Sequence, residues 1–230
     1  MSTMFRLAGC GVLAASLMLS MGAQAVAGSV TYGPVSVGPA TTNWSSSIAL
    51  PQWDPLLFPG QVLTGISFSL FGEVFGSAQF ESLDSQPATV SMNLVATITL
   101  TDPSSNVLAT VIPVASTLDT VSAFDGVIDF GGTSGKSYMG LYGSASDSGS
   151  SMDFATFTGS GFVVLPVSAA GSSFGSGAGN LITSFSTSAA ASASVTYYYE
   201  AIPEASSLAL LGACGAVCGL ALARRRRRTA

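Results

Sequence analysis

The side chains of this 230-residue chain that are equipped to do chemistry are carboxylates. Asp125 and Asp129 form one close pair in sequence and Asp147 and Asp153 another, in stretches otherwise rich in Gly, Ser and small apolar residues. Two carboxyls held about 5 to 9.5 Å apart can cleave a glycosidic bond. The same oxygens suit calcium, a hard cation that takes about six to eight oxygen ligands. Loops carrying Asp125, Asp129, Asp147, Asp153 and Asn180, with main-chain carbonyls, contain the required atoms. No EF-hand or glycine-aspartate repeat spacing accompanies them, and Asp125-Gly126 equally suits a hairpin turn in which the Asp side chain bonds its own backbone. On an acidic exterior, solubility and turn formation account for these acids. The expectation is therefore no catalytic residue and no required cofactor, with calcium the one ion the side chains would accommodate. Trp44 and Trp53 bracket what reads as a Pro-rich turn, and an exposed pair of such rings would stack on sugar faces. Buried, they would simply be core.

Missing residue types narrow the chemistry further. The chain has no His, and between residues 26 and 200 it has no Cys, no Arg and a single base, Lys136. A Ser-His-Asp triad, a Cys-His pair, a His-based zinc site and an arginine clamp on phosphate are all excluded from that region. Its eleven acids and one base leave a net charge near -10. Such a surface repels phosphate, so nucleic acid is not an expected partner. No disulfide is available there either, and stability must come from sheet hydrogen bonds, core burial or a bound ion.

The two ends are of a different kind. Arg6 precedes an apolar stretch from Leu7 to Met21, and Ala23-Gln24-Ala25 offers signal peptidase the small residues it needs at Ala23 and Ala25. At the other end Pro203-Glu204 is followed by 19 apolar or small residues, Ala205 to Ala223, and then by Arg224, Arg225, Arg226, Arg227 and Arg228. As a helix the run would reach about 28 Å, close to the roughly 30 Å of hydrocarbon in a bilayer. Arginines beside a spanning segment favour the cytoplasmic side, which places everything before Ile202 outside the inner membrane. Pro-Glu core, helix and basic terminus in this order resemble the PEP-CTERM sorting signal, with Ala205 where the motif has a further proline. That resemblance implies an exosortase-type membrane enzyme as partner and an exopolysaccharide-producing Gram-negative host. The expected organisation is a signal peptide over 1–25, an ectodomain over 26–200 and a sorting tail over 201–230.

The elements that must position the acids read as strands throughout. From Thr89 to Thr101 the sequence places Val90, Met92, Leu94, Ala96, Ile98 and Leu100 on one face and mostly Thr, Ser and Asn opposite, with only Val95 breaking the alternation. That is a strand with one buried and one solvated face. Gln61 to Phe71 repeats the pattern through Ile66, Phe68 and Leu70, and Thr120 to Phe130, Phe157 to Val167 and Ala193 to Tyr199 are further expected strands. Turn signals at Asp102-Pro103, Asp125-Gly126, Gly131-Gly132, Ser148-Gly149 and Gly177 to Asn180 separate them. About ten strands at this spacing, with no fixed-period repeat, predict an all-β fold: an antiparallel β-sandwich, jelly-roll-like or Greek-key. The Gly/Ser-rich segments Ser144 to Ser151 and Ser168 to Asn180 read as long loops.

Between Trp44 and Tyr199 the sequence resembles the choice-of-anchor E domain, a family of secreted bacterial domains with alternative anchoring tails. The pieces that carry the likeness are Leu50-Pro51-Gln52-Trp53-Asp54-Pro55, Leu63-Thr64-Gly65-Ile66-Ser67, Ala123-Phe124-Asp125-Gly126 with Asp129-Phe130-Gly131-Gly132, Phe157-Thr158-Gly159-Ser160-Gly161 and Val195-Thr196-Tyr197-Tyr198-Tyr199. It implies architecture and surface placement and no catalytic residues. Two functions are then expected in order: an exported, exosortase-processed, non-catalytic surface or extracellular-matrix protein, and, as the alternative, a carbohydrate-binding module that uses calcium. Partners on these readings are signal peptidase, the exosortase-type enzyme, the inner membrane before processing, and exopolysaccharide.

Overall fold

A computed structural model describes residues 27–202. Ala23 and Ala25, the motif residues Pro203 and Glu204, the apolar run 205–223 and Arg224 to Arg228 lie outside the described residues. Among those described, no helix is long and apolar enough to cross a membrane. Two compact units are present. One consists of Gly28–Pro59 and Leu63–Tyr199; the other includes Ala27, Gly60–Val62 and residues 200–202, where the Ile202 N–H donates to the Gly60 carbonyl at 2.8 Å.

The larger unit is an antiparallel β-sandwich. The strands of the described residues are β1 (Ala27–Thr41), β2 (Trp44–Pro51), β3 (Gln61–Ser82), β4 (Ala88–Thr101), β5 (Val107–Val111), β6 (Val114–Val121), β7 (Gly135–Ser151), β8 (Phe162–Gly171), β9 (Phe174–Ser176) and β10 (Leu181–Ala201), of which β1, β3 and β10 have their outermost residues in the smaller unit, with one helical turn, α1 (Phe154–Phe157), before β8. One sheet runs β1-β10-β3-β7. The other runs β2-β8-β4-β5, with β6 and β9 also paired to β4. The first half of β4 pairs with β6, from Ala88 opposite Val121 to Val95 opposite Val114. Its second half lies between β5 and β8. Pro113, which has no N–H to give, falls at the break between β5 and β6.

Period-two patterning explains the core. The even-numbered residues of β4 from Val90 to Leu100 are fully buried, and so are Phe68 and Leu70 of β3 or nearly so, with Ile66 beside them. Leu94 to Leu100 and the β3 residues meet Ile48 and Leu50 of β2, Leu165 and Val167 of β8, and the small face Ala189, Ala191 and Ala193 of β10, whereas Val90 and Met92 pack with Ala78, Phe80 and Val121 in a smaller cluster. Burying each large aliphatic or aromatic side chain contributes about 1.5 to 3 kcal/mol, which is how a domain without disulfides holds together. Val95, the residue that broke the alternation, is buried as well. The segment after β8 covers it: the Ser173 hydroxyl accepts from the Val95 N–H, and the Ser172 N–H donates to the Val95 carbonyl. Tyr197 joins the two sheets, because its ring is buried beneath β10 while its hydroxyl donates to the Pro51 carbonyl of β2 at 2.9 Å.

Several expectations need correction. Thr120 to Phe130 is not one strand: β6 stops at Val121, and residues 122–134 form a loop. The apolar letters of that stretch alternate, but Gly126 and Phe130 have positive φ, and at Phe130, which is not a glycine, this left-handed backbone departs from the extended region of a strand. Phe157 to Val167 begins as the last residue of α1, and the strand starts only at Phe162. Ser144 to Ser151 is no loop. It is the second half of β7, paired with β3 from Ser144 opposite Glu73 to Ser151 opposite Ile66. Ser148-Gly149 is therefore not a turn, and of Ser168 to Asn180 only the pieces between β8, β9 and β10 are loop.

Glycine has a specific use in β7. This edge strand of one sheet lies against β5 and β6 of the other, and the Thr110 N–H donates to Asp147 Oδ2 at 3.1 Å across the gap. A Cβ on Gly143 would overlap the Val114 carbonyl, and one on Gly149 would overlap the Leu108 carbonyl. Residues without side chains let the two backbones close that edge of the sandwich. On the opposite edge, β1 carries Pro34 and Pro39, a common device for blunting a strand edge by removing donors.

Candidate functional site

The acids singled out in the sequence do not converge, and among the described residues no group of three acidic side chains is placed to hold a metal. Each has a local occupation instead. Asp125 Oδ1 accepts from the Val127 N–H at 3.1 Å and Oδ2 from the Thr133 N–H at 3.2 Å, which folds the 122–134 loop back on itself. Asp129 Oδ1 accepts from the Gly131 N–H at 2.8 Å. Asp147 lies in β7 opposite Leu70, bonded to Thr110. Asp153 caps α1, accepting from the Thr156 N–H and, at 2.6 Å, from its hydroxyl. Asn180 donates its N–H to Asp84 and accepts from the Leu83 N–H.

The tryptophans do not form a sugar platform. Trp53 is buried in the core, stacked on Phe58 with ring centroids 5.7 Å apart. Trp44 is half-buried and packs on the same core. The stacking version of the carbohydrate-binding expectation has no exposed pair to act through.

Sequence reading missed the residues that organise the acidic end of the domain. Asp84 clamps two loops at once: its Oδ2 and Oδ1 accept from the Gly179 and Asn180 N–H groups at 2.7 and 2.9 Å, and its carbonyl accepts from the Phe124 N–H. Glu81 is fully buried, and its Oε1 accepts from the Ser134 hydroxyl at 2.6 Å. An acid close behind Ala78 and Phe80 in a strand that alternates apolar residues was the available signal. Nearby, Asp119 of β6 pairs with Lys136 and accepts from the Tyr138 hydroxyl, both in β7.

Electrostatics follow from these contacts. The Lys136 ammonium, followed by the Tyr138 hydroxyl, holds the Asp119 carboxyl below its ordinary 3.8. The N–H groups of Val127 and Thr133 lower Asp125, and the hydroxyl and N–H of Thr156 lower Asp153. Burial, with the Asp119 hydrogen bond second, pushes the Tyr138 phenol up to about 12. A carboxyl whose folded pKa lies below its unfolded value contributes stability that is complete above about pH 4 and is lost as pH falls through the folded pKa. The expected result is an unfolding midpoint nearly flat from about pH 5 to 7 and falling below about pH 4. Urea titrations at fixed pH check this, and Asp125→Asn should show a shallower acid limb. An acid limb unchanged in that variant would contradict the assignment.

No family model and no curated protein matches this chain. Among solved structures it is similar to the VP2 subviral particle of infectious bursal disease virus, at 14% identity and a TM-score of 0.24, over 79% of this chain and 38% of that one. It is also similar to the structure of the Gx strain of the same virus, at 12% identity and a TM-score of 0.17, again over 79% of this chain and 38% of that one.

Proposed function

We propose that this chain is a non-catalytic display domain, exported across the inner membrane, held there by its tail and then released to the cell surface or the extracellular polysaccharide by an exosortase-type enzyme. One observation carries this reading: Pro203-Glu204, the apolar run to Ala223 and Arg224 to Arg228 stand in the order of a sorting signal, behind a chain that opens with Arg6 and an apolar stretch. The finer fold assignment is a jelly roll. With β5 and β6 counted as one interrupted strand, and β8 and β9 as another, eight strands result. The chain changes sheet at every connection except the one from β4 to β5, which gives the orders β1-β10-β3-β7 and β2-β8-β4-β5.

Surface chemistry supports the reading. The solvated faces of β4 and β7 are largely Ser, Thr and Gly, and acids other than Glu81 and Asp102 lie at or near the surface. Such an exterior stays hydrated within a polysaccharide matrix and offers many hydroxyls for glycan attachment. The test is to express wild type and a Pro203→Ala, Glu204→Ala variant in an exosortase-containing host and to separate membranes from medium. Wild type is expected mainly in the medium or on the surface, and the variant in the membranes. Equal retention of both would remove the support for processing.

A further inference from the structure

We propose that Leu56-Leu57, the tip of the loop between β2 and β3, sits in the phospholipid interface while the tail holds the chain in the membrane. The contact rests on the anchoring role proposed above for residues 205–228. Leu56 is 84% exposed, more than any other large apolar side chain among the described residues, and Leu57 beside it is 68% exposed. No charged residue falls between Asp54 and Glu73, so the tip is neutral on a strongly acidic domain. Its backbone is equally suited to an apolar medium. Pro55 and Pro59 carry no N–H. The Leu56 N–H donates to Asp54 Oδ1 at 2.9 Å, the Leu57 N–H to the Asp54 carbonyl at 3.0 Å and the Phe58 N–H to the Pro55 carbonyl at 3.3 Å. Every main-chain donor from 55 to 59 is absent or satisfied, so the turn can approach hydrocarbon without a bare N–H, its outer carbonyls staying at the hydrated headgroups.

Chain geometry puts this tip at the end of the domain from which both apolar stretches depart. The ring of Phe58, next to Leu57, packs on Tyr199 with centroids 4.8 Å apart, and Tyr199 is six residues before the run that begins at Ala205. Six residues reach about 22 Å at most. Ile202 is held by the Gly60 carbonyl, which leaves three residues, about 11 Å at most, to the start of the run. The first strand begins at the same place, since a Cβ on Gly28 would overlap the Tyr199 ring. A tethered tip meets the bilayer in an intramolecular step, at an effective concentration on the order of millimolar, so a small apolar area is enough to hold it. Two leucines alone are too little to keep a free protein on a membrane. The contact therefore steadies the domain, with Pro203-Glu204 near the membrane surface, only as long as the tail is attached, and lapses on release.

The test uses the full chain reconstituted into vesicles of phosphatidylethanolamine and phosphatidylglycerol, with plain or brominated acyl chains, bromine being a short-range quencher of tryptophan. Leu57→Trp puts a reporter at the tip. Leu118→Trp is the control: its position is 71% exposed and lies opposite Ser91 near the start of β4, toward the end of β3 farthest from Gln61. After subtraction of the wild-type signal from Trp44 and Trp53, the emission added by Leu57→Trp should be blue-shifted and mostly lost in brominated vesicles. That added by Leu118→Trp should be unchanged. Equal Leu57→Trp emission in both kinds of vesicle, from protein that floats with them, would overturn the contact and leave the anchor standing. Protein that does not float with the vesicles would overturn both. Because tryptophan itself favours the interface, the native loop supplies a second measurement. In the same vesicles, amide hydrogen exchange across residues 58–62 should be several-fold slower in wild type than in a Leu56→Ser, Leu57→Ser variant, and equal rates would overturn the proposal.

Discussion

Gly149→Val should destabilise the domain by about 3 kcal/mol, the upper end of the cost of overpacking, and lower its thermal midpoint by about 6 to 12 °C. Gly149 has an extended, paired neighbourhood that looks tolerant, because β7 is rich in Ser and mostly exposed. The obstacle lies in the other sheet, where the Leu108 carbonyl occupies the place of a Cβ. A valine would push β7 away from β5 and cost the Thr110 to Asp147 hydrogen bond that spans the gap. Ser150→Val, one residue along and exposed, is the control and should stay within about 0.5 kcal/mol of wild type. Equal midpoints for the two variants in a thermal melt would mean that this edge of the sandwich is not closed as described.

Phe68→Ala should cost more, about 4 kcal/mol, within the range for removing a buried phenylalanine. Phe68 is 1% exposed, and its ring lies 5.1 Å from that of Phe157, centroid to centroid. It thereby ties the middle of β3 to the turn of α1, and the truncation leaves a cavity lined from both layers. Urea unfolding of the variant should show a lower midpoint with an unchanged slope. A loss below about 1 kcal/mol would indicate that α1 and its flanking loop collapse into the space, and that the core is less rigidly packed than the contacts imply.

What the sequence revealed and what it hid have a common physical cause. Thr89 to Thr101 was legible because one face of β4 is dry and the other wet, so the alternation is written in the residues themselves. Trp44–Pro51 and Ser144 to Ser151 were not, because an edge strand owes its conformation to a partner across the sheet, and the first opens on a run of Ser while the second is mostly Ser. Thr120 to Phe130 misled in the other direction: its alternation is genuine, but positive φ at Gly126 and Phe130 bends it into a loop that serves Glu81 and Asp84. The acids of the presumed sites, Asp125, Asp129, Asp147 and Asp153, were visible as residue types, whereas their separation into local turns and caps depends on backbone N–H groups that no sequence displays. Glu81 stood in plain view among apolar neighbours. Its burial comes from a loop that begins about 40 residues later, and this long-range covering is what strand periodicity cannot report.

Surface display and tail processing make up the central claim, and intact mass spectrometry of the protein recovered separately from membranes and medium tests it most directly. For wild type the account predicts a released form that starts near Val26 and ends near Pro203, with any attached glycan adding to the polypeptide mass. The Pro203→Ala, Glu204→Ala variant should remain in the membranes with residues 205–230 intact. A wild-type protein that keeps residues 205–230 in the membrane fraction would contradict the account and make the tail a plain anchor.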